Sequence, residues 1–276
     1  VVKAQQRAAA ARPYSRQITQ VIENLAAGGT SIDHPLLNQT ADVQKVAFVV
    51  ITSDRGMAGA YNSSVIRATE RELMAHREEG RDYALILIGR KAEAYFRFRH
   101  YRIDASFTGV SDTPIYDDAR RIANLVTEKF TSGEVQRVEL VYTEFISMGS
   151  QRVAVRRFLP LEDTSTMATA GHGQAELVAA AEFEPSAPGL LAALLPRYVE
   201  ARLFGAMLEG AASEHASRQR AMKAATDNAD ELQTKLTRQM NRARQDAITT
   251  EIMEIVSGAE ALRAEDAEDV IELAET

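Results

Sequence analysis

The feature that most constrains the fold is a long C-terminal stretch without proline. The chain has 276 residues, and no proline follows Pro196. Because proline breaks helix interiors and glycine often ends helices, the pattern predicts one helix over residues 190–256 that ends at Gly258. Gly205 and Gly210 are its predicted weak points. At about 1.5 Å per residue the helix would be about 100 Å long, so we expect part of it to meet other molecules.

The N-terminus contains a second helical pattern, which ends before Gly28. Small and apolar residues recur there at steps of three and four, the a/d spacing of a coiled coil: Val1, Ala4, Ala8, Ala11, Ser15, Ile18, Ile22 and Leu25. A similar alanine-rich seam spans residues 194–212. Because small side chains let two helices approach closely, the seams predict an antiparallel coiled coil of residues 1–27 and 189–258. The alternative is an ordinary long helix that lies across one sheet face.

The middle of the chain, residues 46–161, has a different period. Strand-length runs alternate with helical stretches, which predicts strands over 46–51, 84–88, 101–107, 138–145 and 152–159 and helices over 60–79, 90–98 and 115–130. Continuous apolar strands between helices indicate a parallel sheet covered by helices. The short turn at Met148-Gly149-Ser150 makes the last strand antiparallel. The predicted fold class is therefore α/β, with a Rossmann-like domain of mostly parallel strands inserted between the coiled-coil helices.

Charge and small residues mark the remaining segments. Residues 162–188 are predicted to form a linker loop, with Ser186 as the N-cap of the long helix. Residues 259–276 hold seven acidic residues and one arginine, so most of the net charge of -7 lies in this acidic tail. The chain as a whole has no basic footprint for nucleic acid. Residues 218–244 carry seven basic and three acidic residues, which favours an acidic protein partner, although such runs are usually solvated helix faces.

The residue patterns that support catalysis are missing or weak. The chain has no cysteine, which excludes disulfides, thiolate zinc sites and a cysteine nucleophile. The five histidines show no metal-ligand spacing. The turn at residues 54–59 resembles a phosphate-binding turn but lacks the Lys-Ser/Thr of a P-loop, and Gly89-Arg90-Lys91 is equally weak. We predict glycine-dependent turns at both places, with no catalytic residue, no cofactor and no metal.

Five segments carry a resemblance to a known family. The most specific are residues 221–229 (AMKAATDNA) and 241–252 (NRARQDAITTEI), followed by 51–62 (ITSDRGMAGAYN), 11–14 (ARPY) and 195–202 (LPRYVEAR). Together they resemble the gamma subunit of the bacterial F-type ATP synthase, the central rotor shaft. The N-terminal helix of that family begins earlier, so the resemblance implies that the family's usual N-terminal segment is missing here.

The resemblance implies a rotor that carries no chemistry of its own. Proton flow turns a membrane c-ring, and the shaft couples this rotation to ATP synthesis or hydrolysis at the beta subunits. The implied partners are the alpha and beta subunits, the epsilon subunit and the c-ring. No apolar run approaches the roughly 18 residues that cross a bilayer, and no secretory signal is evident. We therefore expect a peripheral location on the cytoplasmic side of the cell membrane, through the complex.

The resemblance also implies contact residues. Those that match beta-subunit contacts are Arg218, Gln245, Thr249 and Glu251, and those that match a foot near the c-ring and epsilon are Phe183 and Glu184. Two other functions stay open. An α/β phosphate-ligand-binding enzyme with a helical dimerisation arm would need the turn at residues 54–59 to bind phosphate. A coiled-coil scaffold outside the ATP synthase would self-associate.

Overall fold

A computed structural model describes residues 4, 6–7, 10, 17–18, 34–40, 42–161 and 187–274. The six described residues before position 34 are helical. The rest of the predicted helix 1–27 lies outside the described residues, and so do Ser186, Phe183 and Glu184 of the predicted linker 162–188. The coiled coil therefore stays a prediction.

A five-stranded sheet forms the centre of the α/β region. Its strands are β1 (Lys45–Ile51), β2 (Asp82–Ile88), β3 (Ala105–Phe107), β4 (Arg137–Phe145) and β5 (Gln151–Leu159). The order is β3-β2-β1-β4-β5, with parallel pairing throughout except between β4 and β5. The mostly parallel sheet and its antiparallel last strand are confirmed. The central strand β1 is buried on both faces, which explains its continuous apolar sequence.

Three helices connect the strands, and a fourth follows them. They are α1 (Tyr61–Glu78), α2 (Arg90–Phe98), α3 (Tyr116–Thr131) and α4 (Ala187–Ala274). Residues of α1 and α2, such as Leu73 and Phe96, pack with Phe48 on one sheet face. Residues of α3 and the start of α4, such as Ile122 and Val199, pack on the other. Each sheet face thus has a separate apolar core.

The predicted third strand is shorter than the sequence indicates. Residues 101–107 are β-rich, yet only Ala105–Phe107 joins the sheet. Asp104 ends the ladder, because its carboxylate accepts a hydrogen bond from the Leu85 amide at 2.9 Å. Tyr101 and Ile103 instead pack against the core on the face of α1 and α2. Their apolar character reflects this packing rather than strand pairing.

The long helix is present, but its predicted end is wrong. α4 continues through Gly258 to Ala274. A single glycine costs a helix only about 1 kcal/mol relative to alanine, and the alanine, glutamate and leucine residues that follow are good helix formers. Gly258 therefore lowers helix propensity without ending the helix.

The chain divides into two compact units, Val1–Ala221 and Met222–Thr276. In the first unit, α4 buries side chains such as Leu203 and Met207 against the α/β core. In the second unit, every residue from 222 to 260 is exposed. These exposed residues include large apolar side chains: Leu232, Leu236, Met240, Ile248, Ile252 and Ile255.

Candidate functional site at the carboxyl ends of the strands

The sheet has one place where an α/β fold ordinarily binds a ligand. From β1 the chain adds β2 and then β3 on one side of β1, and it then crosses to the other side to form β4. In α/β sheets, ligands bind outside the carboxyl ends of the strands at the point where the strand order reverses in this way. In this chain α4 fills that place. Leu208, Ala212 and Ala216 form a buried cluster with Phe145, the last residue of β4. The crevice that would hold a nucleotide is therefore occupied by the protein's own helix.

Gly210 allows this close approach. A Cβ atom at Gly210 would lie 3.1 Å from Cγ2 of Ile51 and 3.3 Å from the Tyr61 hydroxyl, which is tighter than ordinary van der Waals contact. Nearby, the Ser213 hydroxyl donates a hydrogen bond to the Thr143 carbonyl at 3.2 Å. The predicted weak point of the helix is thus the residue that lets α4 lie against β1.

The turn after β1 places the Asp54 carboxylate against the start of α2. The Asp54 carboxylate accepts hydrogen bonds from the Ser111 amide at 3.0 Å, the Ser111 hydroxyl at 2.9 Å and the Arg90 amide at 3.0 Å. Burial acts to raise the pKa of Asp54, but hydrogen bonds from the amides of Gly109, Ser111 and Arg90 outweigh it, and the pKa lies below its ordinary value. Because Arg90 begins α2, this carboxylate occupies the helix N-terminus where a phosphate would bind.

The second weak candidate, Gly89, is a packing residue. Its φ is +97°, and a Cβ atom there would lie 2.3 Å from the Thr52 carbonyl oxygen. The Thr52 hydroxyl donates to the Ile88 carbonyl at 3.1 Å and accepts from the Ala92 amide at 3.0 Å. Gly89 therefore permits β1 and the start of α2 to approach closely. This agrees with the predicted glycine-dependent turn at this position.

Two arginines fasten α4 to surface loops of the first unit. Arg218 Nε donates a hydrogen bond to the Gly56 carbonyl at 3.2 Å. Arg220 donates to the carbonyls of Met148 at 3.0 Å and Gly149 at 2.9 Å, and also to Gln151. We call this set, Gly56, Met148, Gly149, Gln151, Arg218 and Arg220, the collar. It joins α4 to the α/β region immediately before the exposed residues 222–260 begin.

A buried carboxylate lies beneath the collar. The side chain of Glu214 is 1% exposed, and one of its oxygens accepts a hydrogen bond from Arg218 at 2.6 Å. The other, Oε2, has no hydrogen-bond partner among the described residues. Burial raises the pKa of Glu214, an effect that the charge and hydrogen bond of Arg218 only partly offset. Burial also raises the pKa of Tyr61, and the neighbouring Glu214 charge adds to that shift.

Comparison with known proteins decides the family. The family model described as ATP synthase matches residues 1–262. The chain is 48% identical over 266 residues to the ATP synthase gamma chain of Frankia casuarinae, covering 95% of this chain and 88% of that one. It is 46% identical to the gamma chain of Kineococcus radiotolerans, covering 95% and 87%. The chain belongs to the ATP synthase gamma family.

Solved structures agree with the fold of this gamma-family chain. A chain of the Euglena gracilis mitochondrial ATP synthase matches with a TM-score of 0.59 at 20% identity, covering 95% of this chain and 94% of that one. A chain of the Tetrahymena thermophila mitochondrial ATP synthase, from a structure of the central stalk and c-ring, matches with a TM-score of 0.57 at 20% identity, covering 82% and 96%. At this identity the likeness concerns the fold.

The predicted contact residues of the gamma chain do not form one cluster in the described structure. Arg218 is 21% exposed and belongs to the collar, where its guanidinium is held by Gly56 and Glu214. Gln245, Thr249 and Glu251 are exposed residues of the second unit.

Sequence reasoning missed the collar as a contact set. Arg220 stands in the basic run 218–244, but its acceptors are backbone carbonyls of a loop some 70 positions away. A carbonyl acceptor is common to every residue, so no side-chain pattern marks it. The sequence gives only a weak indication that Glu214 is buried: it is an acidic residue between alanine-rich helix positions that pack inward.

Proposed function

We propose that this gamma-family chain is the central-stalk rotor of a proton-translocating F-type ATP synthase. It would couple rotation of a membrane c-ring to ATP synthesis or hydrolysis at the beta subunits, and catalysis would stay on those subunits. The observation that carries the proposal is α4 itself. One continuous helix begins in a packed α/β unit and extends over residues 222–260, all of which are exposed. A helix with apolar and charged residues exposed together requires partners.

The collar suits the transmission of torque. Rotation can pass between α4 and its partners only if α4 does not turn relative to the α/β unit that holds it. Directional contacts between α4 and that unit are therefore needed. Arg218 and Arg220 bond to two separate loops, and Ser213 bonds to β4. Hydrogen bonds from charged donors contribute about 1.5–3 kcal/mol each when they are shielded from solvent, and less where they are exposed, as at Arg220.

We infer that the contact surfaces follow the family resemblance. Arg218, Gln245, Thr249 and Glu251 would contact the beta subunits. Arg218 can do so while it remains in the collar, because a guanidinium has five N–H donors and two bonds hold it to this chain. The basic run 218–244 would face acidic partner surfaces. Phe183 and Glu184 would form part of the foot against the epsilon subunit and the c-ring.

The domain organisation is likewise a proposal. Residues 1–27 would pair antiparallel with residues 189–258 as a coiled coil, and 46–161, 162–188 and 259–276 would be the α/β domain, the linker loop and the acidic tail. Ala4 supports the pairing, because it packs against the cluster formed by Leu208, Ala212 and Ala216.

The proposed location is peripheral. None of the helices in the described part of the chain is both long and apolar enough to cross a membrane. Attachment to the cytoplasmic side of the cell membrane would come through the c-ring, within a complex that also contains the alpha and beta hexamer and the epsilon subunit.

Reconstitution with alpha and beta subunits tests the proposal. The chain should assemble with the hexamer, raise its ATPase activity, and show rotation when a bead is fixed to the α/β domain. The isolated chain should bind no nucleotide, because the crevice is filled by α4 and Asp54 occupies the N-terminus of α2. Nucleotide binding by the free chain would favour the phosphate-ligand enzyme, and self-association without assembly would favour the scaffold.

A further inference from the structure

The inner face of the sheet under α1 contains a charged cluster that the rotor function does not use. Glu72 and His76 are four residues apart on α1, so their side chains lie on one helix face. Glu139 projects from β4, in register with Phe48 of β1. The potential ligand atoms of the three residues all lie within 4.8 Å of one another. Apolar residues surround them on this face: Val46, Phe48, Val50, Leu73 and Val141.

The donor atoms have the chemistry of a zinc site, and one pair of them has nearly its spacing. His76 Nε2 lies 3.7 Å from Glu139 Oε1. Tetrahedral zinc with bonds of about 2.0–2.1 Å places its ligand atoms about 3.3 Å apart, so this pair needs to close by only a few tenths of an ångström. Glu72 is half-buried, and its side chain would have to move closer to the other two to complete the ligand set. One imidazole and two carboxylates leave a fourth position for water.

Glu139 supplies a second observation. Its side chain is 13% exposed, and its Oε2 atom is fully buried without a hydrogen-bond partner among the described residues. Two carboxylates that repel each other beside an unsatisfied buried oxygen are the environment that a divalent cation stabilises.

The outer side of His76 is also equipped for a ligand role. A metal bound to Nε2 requires that Nδ1 carry a proton and donate it to an acceptor. The Glu79 carboxylate lies 3.8 Å from Nδ1. In this structure Arg81 donates a hydrogen bond to Nδ1 at 3.0 Å, so Nε2 carries the ring proton. Metal binding at Nε2 therefore requires Arg81, which is partly exposed and ion-paired with Glu79, to leave Nδ1 so that a protonated Nδ1 donates to Glu79. The Phe48 ring packs 5.5 Å from the imidazole and fixes its position.

We propose that Glu72, His76 and Glu139 form a zinc-binding site that cross-links α1 to β4 in the α/β domain. The ion would neutralise the two carboxylates and satisfy Glu139 Oε2. It would tie the last turn of α1 to the strand that also receives the Ser213 bond of α4. The site thus stiffens the base that holds the long helix.

Zinc titration of the metal-stripped full chain tests this site. The expected result is one equivalent of Zn²⁺ bound in competition with a chromophoric indicator, and a tetrahedral visible spectrum with Co²⁺. Glu72→Gln should weaken binding more than about tenfold. His76→Gln and Glu139→Gln should do the same. Glu72 is half-buried on the helix surface, so its variant keeps the fold even if the other two destabilise it.

Two matched variants control for general surface binding. Glu78→Gln removes an exposed acid from the same helix, and His100→Asn removes an exposed histidine while Asn tolerates its φ of +59°. Both should bind zinc as the unmodified chain does. Zinc should also raise the thermal unfolding midpoint of the unmodified chain but not of Glu72→Gln. No binding, or equal binding by Glu72→Gln and Glu78→Gln, would overturn the proposal and leave a His76–Glu139 ion pair.

Discussion

Removing Arg218 should destabilise the fold, because the Glu214 carboxylate buried beneath the collar would lose its charged partner. In the substitution Arg218→Ala, Glu214 loses the one hydrogen-bond donor it has among the described residues, and its side chain is only 1% exposed in the unmodified chain. Breaking a buried ion pair by removing one partner costs about 3–5 kcal/mol. Arg218 is 21% exposed, so water offsets part of that cost, but the bond to Gly56 is lost as well. We expect a loss of about 3 kcal/mol in the free energy of unfolding at pH 8.

The destabilisation caused by Arg218→Ala should be larger at high pH than at low pH. Glu214 already has a raised pKa in the folded chain, and removing the Arg218 charge raises it further. Above the ordinary pKa of a glutamic acid, the folded state then binds more protons than the unfolded state, so stability falls as pH rises through the folded pKa. At pH 5 a larger share of this acid is protonated than at pH 8, so the penalty is smaller there. Each unit of added shift widens the difference between the two pH values by about 1.4 kcal/mol.

Urea unfolding followed by near-UV circular dichroism measures the effect. The chain has no tryptophan, and all eight tyrosines lie before residue 199, so the signal reports only on the first unit. The double variant Arg218→Ala/Glu214→Gln should recover at least about 1 kcal/mol at pH 8, because no buried charge remains.

Arg220→Ala is the matched control. Arg220 also bonds α4 to a loop, but it is exposed and has no buried acid beside it, so its loss should be about 0.5 kcal/mol and independent of pH. Two results would refute the reasoning. One is a loss of unfolding free energy in the double variant equal to the sum of the losses in Arg218→Ala and Glu214→Gln measured separately. The other is an Arg218→Ala loss that is the same at pH 5 and at pH 8.

Three further predictions concern other parts of the chain. Gly89→Ala should destabilise the chain by about 3 kcal/mol or more, since its Cβ would meet the Thr52 carbonyl at 2.3 Å, whereas Gly80→Ala, with positive φ but open space, should cost only about 1 kcal/mol by urea unfolding. Gln245→Ala should lower ATP turnover of the reconstituted complex and leave the near-UV transition unchanged, because Gln245 is exposed in the second unit; normal turnover would contradict its contact role. Deleting residues 263–276 should leave assembly and ATPase activity near normal, because burying this strongly acidic segment against a partner would be costly, and loss of either would reveal a partner for the tail.

The elements of the α/β region were predictable because their signals are local. The apolar run of β1 and the helical period of α2 predict those elements with nearly the observed bounds. β3 was overestimated, because the Asp104 carboxylate intervenes through a contact with Leu85, 19 positions away. The end of α4 was misplaced, because one glycine changes propensity by less than the following helix formers supply.

The sequence alone determined the family, the mostly parallel sheet and the long helix, because motif identity, hydrophobic period and proline placement are properties of neighbouring residues. Only the tertiary structure decided that α4 fills the crevice outside β1 and β4, that Arg218 covers the buried Glu214, and that Glu139 meets His76 under α1. The first and the last of these join segments distant in the chain, and the burial of Glu214 depends on how α4 packs, although its partner Arg218 is only four residues away. Such contacts depend on how the elements pack, and a linear pattern carries no record of that packing.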